Sequence, residues 1–155
     1  MKITYQRLDK NHIPSLLQLS KADGFPCELT QELAELYCCG KPPADEGVQT
    51  YGVCEDNEPV SVMTATFCRV FPHKDSPGGR IVHISGAFTL PERRHRGCAA
   101  GLLRMIESDA AAFGADYICC DSTADGLYRS RGFEPAPEDE TRMWKHVSDN
   151  NAGSQ

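Results

Sequence analysis

The interpretation of this chain depends on one stretch, Arg93-Arg94-His95-Arg96-Gly97-Cys98-Ala99-Ala100-Gly101. An apolar run ending at Leu90-Pro91 precedes it, and apolar residues at helical spacing follow it as far as Phe113. The first N–H groups of a helix lack intrahelical partners, and the helix dipole favours negative charge beside them. Small residues let an anion approach the main chain. The stretch therefore predicts a helix start that holds an anion such as a pyrophosphate, assisted by Arg94 and Arg96.

The spelling of this stretch resembles a known signature. Arg94-His95-Arg96-Gly97-Cys98-Ala99 reads R-x-x-G-x-A, which is similar to the (Q/R)-x-x-G-x-(G/A) acetyl-CoA motif of the GNAT superfamily of N-acetyltransferases. A second segment, Leu127-Tyr128-Arg129-Ser130-Arg131-Gly132-Phe133, resembles the L-Y-x-x-x-G-F element found later in the same superfamily. The resemblance covers about residues 80 to 134, and the first half of the chain matches only in its order of strands and helices.

The resemblance implies where a cofactor would bind. Acetyl-CoA would place its pyrophosphate on Arg94, His95, Arg96, Gly97, Cys98, Ala99, Ala100 and Gly101. Its pantetheine arm would lie in a gap between the fourth and fifth strands, on the backbone of Phe88, Thr89 and Leu90. The family often has Asn seven positions before the tyrosine of the second motif, and here Asp121 stands there. Asp121 is therefore predicted to contact the cofactor; helping to draw a proton from the amine, or capping the next helix, are the alternatives.

Acetyl transfer to an amine needs a neutral amine, a polarised thioester carbonyl and a proton for the leaving thiolate. Tyr128 is the candidate acid, since a phenol stays protonated at neutral pH and the resemblance implies the same role. Simple packing against the cofactor is the alternative. The strand at Arg80–Leu90 lacks the carboxylate that family members often use as a base. His83 is the candidate base, with a structural histidine as the alternative. Strand alternation predicts that His83 shares a face with Ser85 and Thr89. Gly86, in the middle of this strand, suggests a bulge or a close approach by another group.

The pattern of strands and helices predicts one α/β domain over residues 1–147 and a flexible tail over 148–155. The resemblance implies a GNAT-like fold, with a mixed, mostly antiparallel twisted sheet flanked by helices and a cofactor cleft between strands 4 and 5. Helices are expected after caps at Asn11 and Thr30 and again up to a C-cap at Gly114. The helix after Thr30 carries Leu33, Leu36 and Tyr37 at helical spacing. The expected strands are Lys2–Leu8, Gln49–Glu55, Pro59–Val70, Arg80–Leu90, Asp116–Asp121 and Thr141–Val147.

Composition narrows the function classes. The formal net charge of −6 disfavours nucleic acid and anionic membranes as partners. No apolar run approaches the ~20 residues that a membrane span needs, and the N-terminus lacks an export signal, so a cytoplasmic location is predicted. The eight cysteines are expected to be reduced, mostly buried thiols, and their spacing predicts no metal site.

The sequence therefore predicts an acetyl-CoA-dependent N-acetyltransferase that uses no metal and acts by direct transfer to an unidentified amine, on a small molecule or a peptide. The resemblance makes a homodimer an option. Three alternatives stand beside this prediction. The same fold could serve as a non-catalytic sensor or interaction module for CoA or acyl-CoA. The arginines could contact nucleic-acid phosphate or form an ordinary solvated helix start. A covalent acetyl-cysteine route could use Cys98, Cys119 or Cys120.

Overall fold

The structure is a computed structural model that describes residues 2–121, 125–137 and 139–147. The predicted flexible tail, residues 148–155, lies outside the described residues. The described residues form both strands and helices, and two short 3₁₀ turns, at Lys10–His12 and Pro91–Arg93, precede α-helices. The elements are β1 (Ile3–Arg7), α1 (Ile13–Leu19), α2 (Gln31–Tyr37), β2 (Gly47–Glu55), β3 (Glu58–Arg69), β4 (Arg80–Thr89), α3 (Cys98–Phe113), β5 (Tyr117–Cys120), α4 (Asp125–Ser130), β6 (Glu134–Ala136) and β7 (Asp139–His146).

The strands form one seven-stranded sheet in the order β1-β2-β3-β4-β5-β7-β6. Neighbouring strands are antiparallel except β4 and β5, which run parallel. The β4–α3–β5 unit is the crossover that a parallel pair requires. The predicted mixed, mostly antiparallel sheet flanked by helices is confirmed.

Helices cover the two faces of the sheet. The α3 helix buries Leu102, Leu103, Ile106, Ala110 and Phe113 against one face, as its spacing predicted. It ends at Gly114, whose φ of 83° is the left-handed conformation that favours glycine at a helix C-terminus. The opposite face packs against α1 and α2 through Leu8, Ile13, Leu16, Ala34 and Phe88, among others. The sheet therefore separates two apolar layers.

A β-bulge interrupts β4 and changes which face its side chains occupy. Ala65 of β3 pairs with Ile84, but the preceding Thr64 pairs with Gly86, so Ser85 is the extra residue. Ile84 packs on the α3 side, whereas Phe88 packs on the α1 and α2 side. The prediction that His83 shares a face with Thr89 is therefore wrong, because simple alternation does not continue through a bulge.

Three expectations about individual elements need correction. The cap before α1 is Asp9, which accepts a hydrogen bond from the Asn11 N–H at 2.9 Å, because a 3₁₀ turn precedes the helix. The second helix buries Ala34, while the side chain of Leu36 is 62% exposed. The last predicted strand is longer than expected and pairs with the additional strand β6.

The cysteines and the helices bear on two further expectations. All eight cysteines are free thiols, and Cys38, Cys54, Cys119 and Cys120 are buried. Burial raises the pKa of the Cys119 thiol to about 11, so this group is neutral near pH 7. In the part of the chain that is described, no helix combines the length and the apolar character needed to cross a membrane.

Candidate functional site

A cleft opens where β4 and β5 separate. The two strands pair from Ile81 with Tyr117 to Ile84 with Cys120, and the bulge at Ser85 follows immediately. Beyond that point, the edge of β4 that faces the gap has no strand partner among the described residues. The cleft encloses about 800 Å³, a volume typical of ligand sites. The predicted cleft between the fourth and fifth strands is thus present.

The loop before α3 forms one end of the cleft, and its backbone is shaped to bind an anion. His95 and Gly97 adopt left-handed conformations with φ of 63° and 80°. A left-handed residue within such a loop turns successive N–H groups toward one point, and a non-glycine residue in this conformation commonly marks a functional site. The first hydrogen bond of the helix runs from the Gly101 N–H to the Gly97 carbonyl, at 3.0 Å. The N–H groups of residues 98–100 therefore have no partner within the helix.

The three arginines of this stretch have different surroundings. Arg93 lines the cleft but is paired with Glu55 through two hydrogen bonds, one of them 2.7 Å long. This guanidinium lowers the pKa of the Glu55 carboxyl, so the charge of Arg93 is largely compensated. Arg94 lines the cleft, donates from Nε to the Thr89 carbonyl at 3.0 Å and lies 6.0 Å from the Phe88 ring centroid. Arg96 is exposed. Arg94 is therefore the best-placed cation for a bound anion.

The backbone of β4 forms one wall of the cleft. Phe88 is 6% exposed, and its ring packs against the tilted ring of Phe25 at 5.0 Å between centroids, so this side chain is part of the core. The Thr89 hydroxyl pairs with the Ser61 hydroxyl at 2.7 Å. A Cβ added at Gly86 would meet no atom within 4 Å, so this glycine borders open space. The wall therefore offers main-chain groups, with its larger side chains turned away.

Tyr128 on α4 lies at the opposite wall. It is 3% exposed, and its ring packs edge-on against Phe133 at 5.3 Å between centroids. The Phe133 N–H donates to the Tyr128 carbonyl at 2.9 Å, and this bond links α4 to the segment that follows it. The second motif therefore holds this aromatic ring firmly beside the cleft.

His83 and Asp121 lie together at the end of the cleft where the two strands part. His83 Nε2 is 3.3 Å from Asp121 Oδ2, and Arg142 Nε donates to Asp121 Oδ1 at 3.0 Å. These two partners lower the pKa of the Asp121 carboxyl, and the hydrogen bond from Arg142 is the largest cause. Asp121 is consequently ionised near neutral pH. The structure thus brings the predicted base next to a carboxylate.

Most of the residues predicted from sequence share this one cleft. Its lining contains His83, Phe88, Thr89, Arg94, His95, Gly97, Cys98, Ala99, Ala100, Asp121 and Tyr128. Leu90, Arg96 and Gly101 are outside the lining. Leu90 packs against the core, and Gly101 is buried where a Cβ would collide with the Tyr5 ring at 2.2 Å. The small size of Gly101 is thus explained by helix packing against β1.

Three participants were not found by sequence reasoning. Glu55, at the end of β2, pairs with Arg93, and nothing in the sequence links two residues so far apart. Gly24, in the segment between α1 and α2, contributes to the lining. Arg142 holds Asp121, and β7 pairs with β5. Strand alternation around Trp144 could have placed Arg142 on the correct face, but the pairing of the strands could not be read from sequence.

The cleft suits an elongated ligand with an anionic group at one end. Arg94 and the N–H groups that have no partner within α3 lie at the loop, and a Cβ added at Gly97 would meet nothing within 4 Å, which leaves room for a phosphate. The strand edge beyond the bulge can pair with amide groups of an arm laid along it. Among the described residues, no group of three or more His, Cys, Asp or Glu side chains is arranged to hold a metal ion.

Comparison with known proteins agrees with this geometry. The model of the Acetyltransferase (GNAT) family matches residues 13–133. The structure of Arabidopsis thaliana NAA60 in complex with acetyl-CoA superposes with a TM-score of 0.69 at 15% identity, covering 87% of this chain and 86% of that one. A predicted acetyltransferase of Clostridium acetobutylicum with acetyl-CoA gives 0.67 at 18% identity, covering 88% and 93%.

The structure of AAC(6')-Iy in complex with the bisubstrate analogue CoA-S-monomethyl-acetylneamine gives a TM-score of 0.65 at 17% identity, with 86% and 92% of the two chains covered. At these identities the superpositions show a shared fold. A search of curated proteins gave no match. The family model, by contrast, spans well over half of the sequence and includes both motifs and the whole cleft wall formed by β4. The chain belongs to the GNAT acetyltransferase family.

Proposed function

We propose that the protein transfers an acetyl group from acetyl-CoA directly to an amine within a ternary complex. The observation that carries this proposal is the cleft itself. One end presents Arg94 and the N–H groups that have no partner within α3, and the lining also contains His83 of β4 and Tyr128 of α4. Holding both reactants in one cleft supplies much of the rate enhancement that such a reaction needs.

The donor would lie along the lining of the cleft. Its pyrophosphate would be held by the loop and first turn of α3, where Arg94, His95, Gly97, Cys98, Ala99 and Ala100 meet, with Arg96 and Gly101 at the margin of this group. The pantetheine would pair with main-chain groups of Phe88 and Thr89, and Asp121, which lines the same cleft, would contact it. Leu90 was also predicted for this arm, but its N–H already donates to the Val60 carbonyl at 2.9 Å and its carbonyl accepts from the Arg93 N–H at 2.8 Å. An N–H group of β4 beyond the bulge would polarise the thioester carbonyl.

Two side chains would move the protons. His83 would take a proton from the amine, whose nitrogen lone pair attacks the carbonyl carbon of the thioester. As the carbon–sulfur bond breaks, Tyr128 would donate the proton that the departing thiolate requires. Both side chains line the cleft, and the Tyr128 residue is buried.

The alternatives find less support. An acetyl-cysteine route through Cys119 needs a thiolate, whereas burial raises the pKa of this thiol to about 11 and Cys119 lies outside the cleft lining. Of the arginines that could contact nucleic-acid phosphate, Arg93 is already paired with Glu55. The non-catalytic sensor of CoA or acyl-CoA remains the second candidate, because β4 lacks the carboxylate that family members often carry on this strand.

The acceptor, on a small molecule or a peptide, belongs to the proposal. Proteins of similar fold have been crystallised with quite different partners, such as the aminoglycoside-derived analogue bound to AAC(6')-Iy and the Gag peptide bound to the NatC complex. The cytoplasmic location and the homodimer also stay predictions.

Binding of the donor tests the proposal first. Calorimetric titration with acetyl-CoA and with CoA should give micromolar affinities that weaken as salt concentration rises, because charged groups hold the pyrophosphate. Arg94→Glu should raise the Kd by about tenfold or more, since it replaces an attractive charge beside the phosphates with a repulsive one.

Arg104→Glu is the matched control, because Arg104 is an exposed arginine of α3, the helix that follows the loop, and lies outside the cleft lining. It alters the net charge of the protein by the same amount and should leave the Kd nearly unchanged. Absence of binding by the unaltered protein, or equal weakening by the two variants, would contradict the assignment of the pyrophosphate site.

A further inference from the structure

Three side chains from three strands meet at the end of the cleft. His83 comes from β4, Asp121 follows β5 directly, and Arg142 belongs to β7. The two oxygens of Asp121 have separate partners, His83 Nε2 at 3.3 Å and Arg142 Nε at 3.0 Å. We call these residues the His83–Asp121–Arg142 chain.

The strand register explains why they meet. His83 pairs with Cys119 of β5, and Cys119 pairs with Trp144 of β7, so these three residues share one face of the sheet. Residues two positions apart in a strand share a face, so Asp121 and Arg142 follow on the same side. This is the face opposite α3, since Ile118 and Cys120 pack toward that helix. The chain therefore stands where the cleft opens on the face away from α3.

We propose that Asp121 is a positioning residue for His83 and that Arg142 positions Asp121. This inference rests on the proposed function, in which His83 accepts the proton of the amine. An ionised carboxylate only accepts hydrogen bonds, so the ring nitrogen facing it, Nε2, must carry the hydrogen. The lone pair of the neutral ring is then on Nδ1, which makes Nδ1 the atom that takes the proton.

The proton balance follows from this arrangement. When Nδ1 binds the proton of the amine, Nε2 keeps its own hydrogen and its hydrogen bond to Asp121. The imidazolium that forms is stabilised by the adjacent carboxylate, which itself stays ionised. Arg142 opposes this effect in part, because its positive charge disfavours a second cation nearby while it fixes the orientation of the carboxylate.

Other groups on this face contribute less charge. Burial raises the pKa of the Cys68, Cys119 and Tyr117 side chains, so all three are neutral near pH 7. The hydrogen bonds from Thr141 keep the pKa of the exposed Asp139 carboxyl low, and Asp139 is a more distant carboxylate. The titratable and charged groups near His83 and its partners come from four elements. They are Cys68 of β3; Tyr117 and Cys119 of β5, with Asp121 directly after that strand; Asp139, Arg142 and His146 of β7; and Tyr128 of α4.

Opposite shifts of a pH profile test the inference. In Asp121→Asn, the acid limb of kcat should move to lower pH by about half a unit to one unit, because the imidazolium loses its carboxylate; the exposure of the pair keeps the shift small. The plateau of kcat should fall about tenfold. In Arg142→Gln, the limb should move to higher pH. Asp121→Glu should restore part of the loss.

A spectroscopic readout makes the test independent of any acceptor. The chain has five histidines, and ring ¹⁵N signals of His83 can be assigned by their loss in His83→Gln. Without substrate, the midpoint of their titration should move down in Asp121→Asn and up in Arg142→Gln. Asp45→Asn is the matched control, because Asp45 also pairs with an arginine, Arg69, at 2.7 Å but lies outside the cleft lining. The Asp45→Asn change should alter neither the titration midpoint of the His83 signals nor kcat.

The outcomes separate this inference from the proposed function. One result would overturn the positioning role and keep His83 as the base. In it, His83→Gln abolishes the acid limb, whereas Asp121→Asn and Arg142→Gln shift neither the acid limb nor the titration of the His83 signals. If His83→Gln leaves kcat and its pH profile unchanged, the base assignment falls and the inference falls with it. Shifts in opposite directions, in both readouts, support the chain as proposed.

Discussion

Replacing Tyr128 with phenylalanine should lower kcat for acetyl transfer about a hundredfold while leaving the Kd for acetyl-CoA unchanged. The hydroxyl is the group that would protonate the departing thiolate, and without it that sulfur must leave as an anion. The ring itself should stay in place, because it packs edge-on against Phe133 and is almost fully buried. Chemistry and binding should therefore separate, which KM, kcat and calorimetry measure together.

Tyr117→Phe is the control for this change. It removes the same hydroxyl from a tyrosine that packs against Trp144 outside the cleft lining, at 5.2 Å between ring centroids. Its kcat should match that of the unaltered protein. A Tyr128→Phe variant with full activity would show that this tyrosine only packs against the donor. Binding of acetyl-CoA by a protein that acetylates no amine in a broad screen would favour the alternative function, a non-catalytic sensor of CoA or acyl-CoA.

The second large effect is expected on stability, at Asp109 of α3. Its carboxylate accepts a hydrogen bond from the Tyr51 hydroxyl at 2.6 Å and two from Arg7, at 2.7 and 2.9 Å. Asp109 is 4% exposed and Tyr51 fully buried, and burial raises the pKa of the Tyr51 phenol. Asp109→Ala should lower the free energy of unfolding by about 2–3 kcal/mol, mostly by leaving a buried hydroxyl without its acceptor.

A double-mutant cycle checks that reason. Tyr51→Phe alone should cost about 1 kcal/mol. The double variant should cost less than the sum of the two single changes, because no hydroxyl is then stranded. Urea denaturation of the four proteins measures the coupling. Strictly additive losses would show that Asp109 contributes through Arg7 or through helix packing instead of through the phenol.

Sequence patterns located the residues at the loop end of the cleft more completely than the ion pairs around it. Residues 94–100 are contiguous, so their chemistry depends only on a helix beginning at the right place, which local pattern predicts well. Tyr128 and Asp121 were found through a spaced motif. The pairing of Arg142 with Asp121 and of Glu55 with Arg93 depends on which strands are neighbours, and that information is spread over the whole chain.

The bulge at Ser85 shows the same limit within a single strand. Gly86 suggested a bulge or a close approach, but the residue that is inserted depends on the register with β3. Shifting the register by one residue moves every later side chain to the other face, so His83 and Thr89 were assigned wrongly to one face. The exposed Leu36 of α2 shows that helical spacing predicts an apolar stripe without showing what covers it.

The separation of β4 from β5 also has a consequence for how such a protein can diverge. The gap is bordered on one side by the start of α3 and on the other by the segment between α1 and α2, where Gly24 lies. Under the proposed function, most contacts to the donor come from residues 88–101, whereas Gly24 on the other border belongs to a distant part of the chain. Mutations accumulating at that border can change which amine is accepted while the donor loop, under its own selection, stays as it is.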